Sequence, residues 1–164
     1  MRLTVLTDGI DVTSCRTGNA DIDVYLHRFA RAEQERGLAT VYVAIDDAGT
    51  VAGFFTLSPL SLSLDKLAHV FPVLAQSPYP KLGGYLLGRM GVHRPRQHNK
   101  LGGALVARAA DIARAHRRTA GGVFLAVDPK APLAGERDLI GYYERFGFVL
   151  MDPLKIRRRM VLAL

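Results

Sequence analysis

The sequence predicts a mixed α/β fold. Two observations carry this. Short β-branched and aromatic runs alternate with segments of helical period, and a strand–loop–helix–strand unit stands at the centre of the chain. Residues 1–7 read as a first strand. Asn19 or Asp21 can cap a helix by accepting a backbone N–H bond, and Ile22, Leu26 and Phe29 then recur at helical spacing up to a stop at Gly37. Residues 40–45 (TVYVAI) and 51–57 flank the turn residues Asp46-Asp47-Ala48-Gly49, which predicts a hairpin. Residues 58–80 hold Pro59, Pro72, Pro78 and Pro80, and read as a loop with a short helix. Residues 85–92 read as a buried strand. Residues 101–118 form the clearest helix, with Leu101, Leu105, Ala109 and Ile112 on one stripe and Arg114, Arg117 and Arg118 opposite. Gly121-Gly122 ends it. A strand at 123–127, a helix at 138–146 stopped by Gly147, and strands at 148–150 and 159–164 complete the chain.

With 164 residues, 49% of them apolar, the chain can bury a core without staples. No repeat, low-complexity tract or linker interrupts it, so a single domain over 1–164 is expected. One cysteine excludes an intramolecular disulfide framework and suits a reducing, cytoplasmic setting. No apolar run reaches the length of a membrane span, and the N-terminus does not read as a signal peptide. The net charge is +7, and residues 89–118 account for all of it, with eight Lys and Arg against one acid, Asp111. A basic block inside a folded domain points to a polyanionic ligand, a nucleic acid, or both; a solvated helix face is the plainer reading for Arg114, Arg117 and Arg118.

The stretch from Val92 to Ala104, VHRPRQHNKLGGA, ends a strand, forms a basic loop and opens a helix at a glycine pair. A helix N-terminus offers unpaired N–H groups and the positive end of a dipole, a geometry suited to phosphate. Arg94, Arg96 and Lys100 add formal charge. Neither a Walker loop nor a G-x-G-x-x-G fingerprint is present. His93 and His98 lack a third ligand at metal spacing, so no metal is expected, and Cys15 reads as a small buried apolar residue.

This loop resembles the [RQ]-x-x-G-x-[GA] motif of the GNAT acetyltransferase superfamily, with Gln97 at its first position and Gly102 at its last. Lys100 stands where the motif has its middle glycine. If that position needs φ > 0, lysine costs about 1 kcal/mol or more relative to glycine. Residues 141–148 (GYYERFGF) resemble the superfamily's A-x-F-Y-x-x-x-G-F segment. Residues 18–26 (GNADIDVYL) resemble the G-N-x-x-L-D-x-W-L segment of one branch, the TacT-like toxins of bacterial toxin–antitoxin pairs that acetylate aminoacyl-tRNA. Residues 87–92 (LGRMGV) resemble that branch's L-G-R-L-A-V. Phe29-Ala30 and Gly37 extend the likeness, which covers nearly the whole chain. Cys15 replaces an aromatic residue, Tyr25 a common tryptophan, and residues 130–137 are longer than usual.

The resemblance implies a mixed sheet splayed between the strands at 85–92 and 123–127 and flanked by helices. It implies acetyl-CoA as the cofactor, held by Met90, Gly91, Val92, Gln97, His98, Asn99, Lys100, Leu101, Gly102, Gly103 and Phe146. It implies Tyr143 as the general acid that protonates the leaving thiolate. The acceptor is a primary amine. An α-amine has a pKa near ~8, so it needs little help from a base, and none is assigned. Arg28, Arg31, Arg89, Arg94 and Arg96 are candidates for substrate or tRNA contact, and Arg36, Lys155 and residues 157–159 could extend that surface. Arg89, within an apolar strand, is expected to pair with a carboxylate if buried. The expected partners are tRNA, a ribbon-helix-helix antitoxin and a second copy of the chain. Two other functions stay open: acetylation of a small-molecule or protein amine, and a degenerate, non-catalytic binding domain, which Lys100 favours.

Overall fold

The computed structural model describes residues 1–132, 138–152 and 158–164. The chain forms two compact units, one of residues 1–58 and 87–109, the other of 59–86 and 110–164.

In the first unit, β1 (Arg2–Val5) pairs antiparallel with β2 (Thr40–Ile45), which pairs antiparallel with β3 (Val51–Ser63). The β2–β3 turn forms as its residues predict. Asp46 accepts from the amides of Ala48 and Thr50 at 3.1 and 3.0 Å, and Gly49 takes φ +82°. The first helix begins at Asn19, whose side chain accepts from the amides of Asp21 and Ile22 at 3.1 and 3.3 Å. It is not one regular helix. α1 (Ala20–Val24) passes into a π-helical turn, Tyr25–Phe29, and then α2 (Ala30–Glu35), with the Ala30 amide bonding Tyr25 O. An i→i+5 turn takes up an extra residue and rotates the next helical turn about the axis. Ala30 is therefore fully buried while Phe29, expected on the apolar stripe, is 51% exposed. Leu6, Tyr25, Leu26, Val41, Val43 and Phe54 are central to this core.

In the second unit the expected loop at 58–80 is largely ordered structure. β3 continues through Pro59 to Ser63, followed by α3 (Leu64–Val70) and a 3-10 turn at Pro72–Gln76. Pro59 is an exposed residue of this half-strand, the kind of site where the missing N–H is tolerated. β4 (Lys81–Val92) starts earlier than its apolar run suggests. Its Gly83 carbonyl accepts from Val123, and a Cβ on Gly84 would lie 2.5 Å from the Phe124 carbonyl, so glycine permits the close approach. β5 (Phe124–Val127) pairs antiparallel with β7 (Met160–Ala163), and β7 with β6 (Val149–Leu150). Leu67, Phe124, Ala126 and Val161 are the buried centre. α5 spans Ile140–Glu144, shorter than expected. The strand order is β1-β2-β3-β4-β5-β7-β6, with helices interspersed along the chain.

α4 (Leu101–Ala120) runs through both units. Leu101, Leu105 and Ala109 are buried as their spacing predicts, joined by Val106, Ala110 and Ala113, while Ile112 is only half-buried. Arg114, Arg117 and Arg118 are exposed. Among the described residues no helix is long and apolar enough to cross a membrane.

Candidate active site

The β4–α4 loop is the centre of the first unit's site. Met90, Gly91 and Val92 end β4. Gly91 has no room for a side chain, because a Cβ there would meet Thr17 Cγ2 at 2.5 Å and Ile22 Cγ2 at 2.9 Å. The loop is tied to the segment before α1 by the Arg94 amide bonding Arg16 O at 2.8 Å and the Arg16 amide bonding His93 Nδ1 at 3.0 Å. Gln97 is the main staple, since its side-chain amide donates to Val92 O at 2.9 Å and to Thr17 O at 2.8 Å. The motif's first residue therefore shapes the loop with its side chain and leaves anion contact to the backbone beyond it.

That backbone is unusual. His98 and Lys100 adopt φ +64° and +60°, the only non-glycine residues with positive φ among those described. This region costs an L-residue about 1–2 kcal/mol. Lys100 thus holds the conformation that a glycine would take most cheaply, and the loop turns into α4 without one. The Ala104 amide bonds Lys100 O at 3.1 Å. The amides of Leu101, Gly102 and Gly103 precede this bond and have no partner within the helix. His98, Asn99 and Lys100 are exposed. These features fit an anionic, phosphate-bearing group: successive amides at a helix start, the dipole's positive end and an exposed ammonium.

The candidate arginines divide by what they touch. Arg96 donates to Asp46 at 2.6 Å, pinning the loop to the β2–β3 turn. The Thr50 amide and this guanidinium hold the Asp46 carboxyl below its ordinary value. Arg31 donates to Thr7 O at 2.6 Å and to Ile10 O, and pairs with Asp8 at 3.5 Å. Arg94 packs over Gly18, where a Cβ would lie 2.4 Å from its Nε. Arg28 is exposed. Arg89 is exposed too, contrary to the burial its apolar strand suggests, and its guanidinium lies over the Tyr25 ring at 5.4 Å. Cys15 is fully buried, and desolvation pushes its thiol up to about 11, as befits a packing residue.

The second unit carries Tyr143 on α5, 6% exposed. Its ring meets those of Tyr142 and Phe148 edge-on at 5.2 and 5.7 Å. Burial, with a smaller contribution from Tyr142, raises its hydroxyl above the ordinary tyrosine value, so it stays protonated at neutral pH. Phe146 is half-buried, edge-on to Tyr142 at 5.4 Å. Arg158 and Arg159 are engaged with carboxylates, Arg158 with Asp138 at 2.6 Å and Arg159 with Asp128 at 2.7 and 2.6 Å. Lys155, Arg157 and most of the long 130–137 stretch lie outside the described residues. Among the described residues no cluster of three or more His, Cys, Asp or Glu could hold a metal ion.

The model of the acetyltransferase (GNAT) family matches residues 12–148. Among solved structures, AtaT complexed with acetyl-methionyl-tRNAfMet is similar at TM-score 0.84 and 18% identity, over 99% of this chain and 94% of that one. A tyrosine-to-phenylalanine mutant of KacT gives 0.80 at 19% identity, over 99% and 95%. A tyrosine-to-phenylalanine mutant of the AtaT toxin, bound to the C-terminus of the antitoxin AtaR and acetyl-CoA, gives 0.77 at 16% identity, over 99% and 92%. At these identities the likeness establishes the fold.

Proposed function

Because this chain belongs to the acetyltransferase (GNAT) family, we propose that it transfers acetyl from acetyl-CoA to the α-amine of an aminoacyl-tRNA. The observation that carries cofactor use is the left-handed backbone of Lys100 at φ +60°. It keeps the turn into α4 despite the lost glycine, which argues against a degenerate domain. The Gln97 amide is spent on Arg94 O at 3.1 Å, so the amides from His98 to Gly103 would hold the pyrophosphate, with the Lys100 ammonium beside them. Backbone of Met90 and Val92 would pair with pantetheine as an added strand does. Phe146 would pack against the cofactor.

When bound, acetyl-CoA supplies an activated acyl group on a thioester. The acceptor amine must arrive neutral, and with a pKa near ~8 or below it needs no side-chain base. Tyr143 holds its proton through neutral pH; it would give that proton to the departing sulfur and be restored by the proton that the newly acylated nitrogen sheds. The tRNA acceptor draws support from the solved AtaT complex with acetyl-methionyl-tRNAfMet and from the +7 charge. The same reading makes the chain a translation-inhibiting toxin of the cytoplasm, held by a ribbon-helix-helix antitoxin and working as a homodimer.

The test offers radiolabelled acetyl-CoA with bulk charged tRNA, polyamines and peptides. Label entering charged tRNA alone supports the reading. Label entering polyamines or peptides instead moves the acceptor to a small-molecule or protein amine. Absence of thermal stabilisation by acetyl-CoA would return the chain to a non-catalytic binding domain.

A further inference from the structure

Most arginines whose side-chain contacts are described meet oxygen atoms of their own chain. Arg31 bonds Thr7 O and Ile10 O, Arg96 bonds Asp46, Arg158 bonds Asp138 and Arg159 bonds Asp128. Two meet rings instead: Arg145 lies over Tyr142 at 5.1 Å, and Arg89 over Tyr25 at 5.4 Å. A cation–π contact holds a guanidinium in place while using none of its five N–H donors and leaving its net charge unneutralised. A carboxylate partner would take two of those donors and neutralise the charge.

The ring is itself well held. Tyr25 is 5% exposed and stacks on Phe54 with centroids 6.4 Å apart. Its hydroxyl donates to Glu33 Oε2 at 3.0 Å, across eight residues. In a regular α-helix, two turns cover about 7.2 residues, so residues eight apart are out of line. The π-helical turn at Tyr25–Phe29 takes up the difference and sets Tyr25 beside Glu33. A phenol that donates to a carboxylate gains electron density on its ring, which strengthens the pull on a cation over the face.

We propose that Tyr25 is a positioning residue that presents the Arg89 guanidinium to a phosphate of the acceptor nucleic acid, with Glu33 and the π-helical turn fixing the ring. This rests on the aminoacyl-tRNA reading of the acceptor. Arg89 is then the contact residue, since guanidinium donors match phosphate oxygens in pairs. Tyr25 acts through it.

The experiment is a kinetic cycle on the full chain with bulk charged tRNA and acetyl-CoA. Arg89→Ala raises KM for charged tRNA by about tenfold or more. Tyr25→Leu raises it by about two- to fivefold. Tyr25→Phe and Glu33→Gln, which keep the ring but weaken its polarisation, raise it by less. In the Arg89→Ala background none of the three adds a further rise, and acetyl-CoA affinity stays level throughout. Tyr25→Phe and Glu33→Gln are the conservative variants, and they carry the test if Tyr25→Leu does not fold. Equal KM effects with and without Arg89 overturn the positioning role and leave a packing role. A wild-type chain that transfers nothing to charged tRNA overturns the acceptor reading itself, and the proposal with it.

Discussion

Tyr143 sits against Tyr142 and Phe148 with its hydroxyl held protonated by burial. A general acid contributes about 10²–10⁴ to rate. Tyr143→Phe is therefore expected to lower kcat by about that factor while the acetyl-CoA dissociation constant, measured by calorimetry, changes by less than about twofold. Because the hydroxyl's value is raised, kcat should hold across the alkaline range until the tyrosine itself ionises. An alkaline fall that begins near neutral pH, or an unchanged kcat in the variant, would show that another group delivers the proton.

At the scale of elements, the β4–α4 loop trades backbone comfort for charge. Lys100 at φ +60° would be relieved by glycine. Lys100→Gly should stabilise the fold by about 1 kcal/mol in a urea titration, and weaken acetyl-CoA binding by at most about fivefold as the exposed ammonium is lost. The β4 terminus behaves oppositely. Gly91→Ala would place a methyl 2.5 Å from Thr17 Cγ2 and 3.1 Å from the Phe54 ring. Overpacking of this kind costs about 1–3 kcal/mol, so its urea midpoint should fall. Binding should weaken too, because Thr17 O also receives the Gln97 staple. Elements built from adjacent residues were readable in sequence. β2 has its expected bounds, α4 begins at Leu101, and Asn19 caps the first helix. The π-helical turn was not, because the apolar spacing of Ile22, Leu26 and Phe29 is the same for a regular helix. The extension of β3 through Pro59 was hidden by a proline that discourages a strand assignment.

For the molecule as a whole, buried and hydrogen-bonded titratable groups bound the pH range of stability. The Thr13 hydroxyl lowers Asp11, the Thr50 amide lowers Asp46, and Arg158 lowers Asp138, each from 3.8. A depressed carboxyl stabilises above its unfolded value, and that contribution is lost as pH falls through the folded one. Burial raises Cys15 from 9.0 to about 11 and raises the Tyr143 hydroxyl. A raised acid stabilises below its unfolded value, and that contribution is lost as pH climbs through the folded one. Tm should therefore be level between about pH 5 and pH 9 and fall on both sides. A Tm that rises above pH 9 would contradict the buried thiol. The α/β class, the basic loop opening a helix and the family likeness are legible in the order of residues alone. Those depend on neighbouring residues, on periodicity and on motif order. Which charges are available is settled in three dimensions. Arg96 meets Asp46 across fifty residues, Gln97 meets Thr17 across eighty, and Arg89 meets the ring of Tyr25. An arginine's role is set by the oxygen or ring it reaches in three dimensions, and no local pattern encodes that partner.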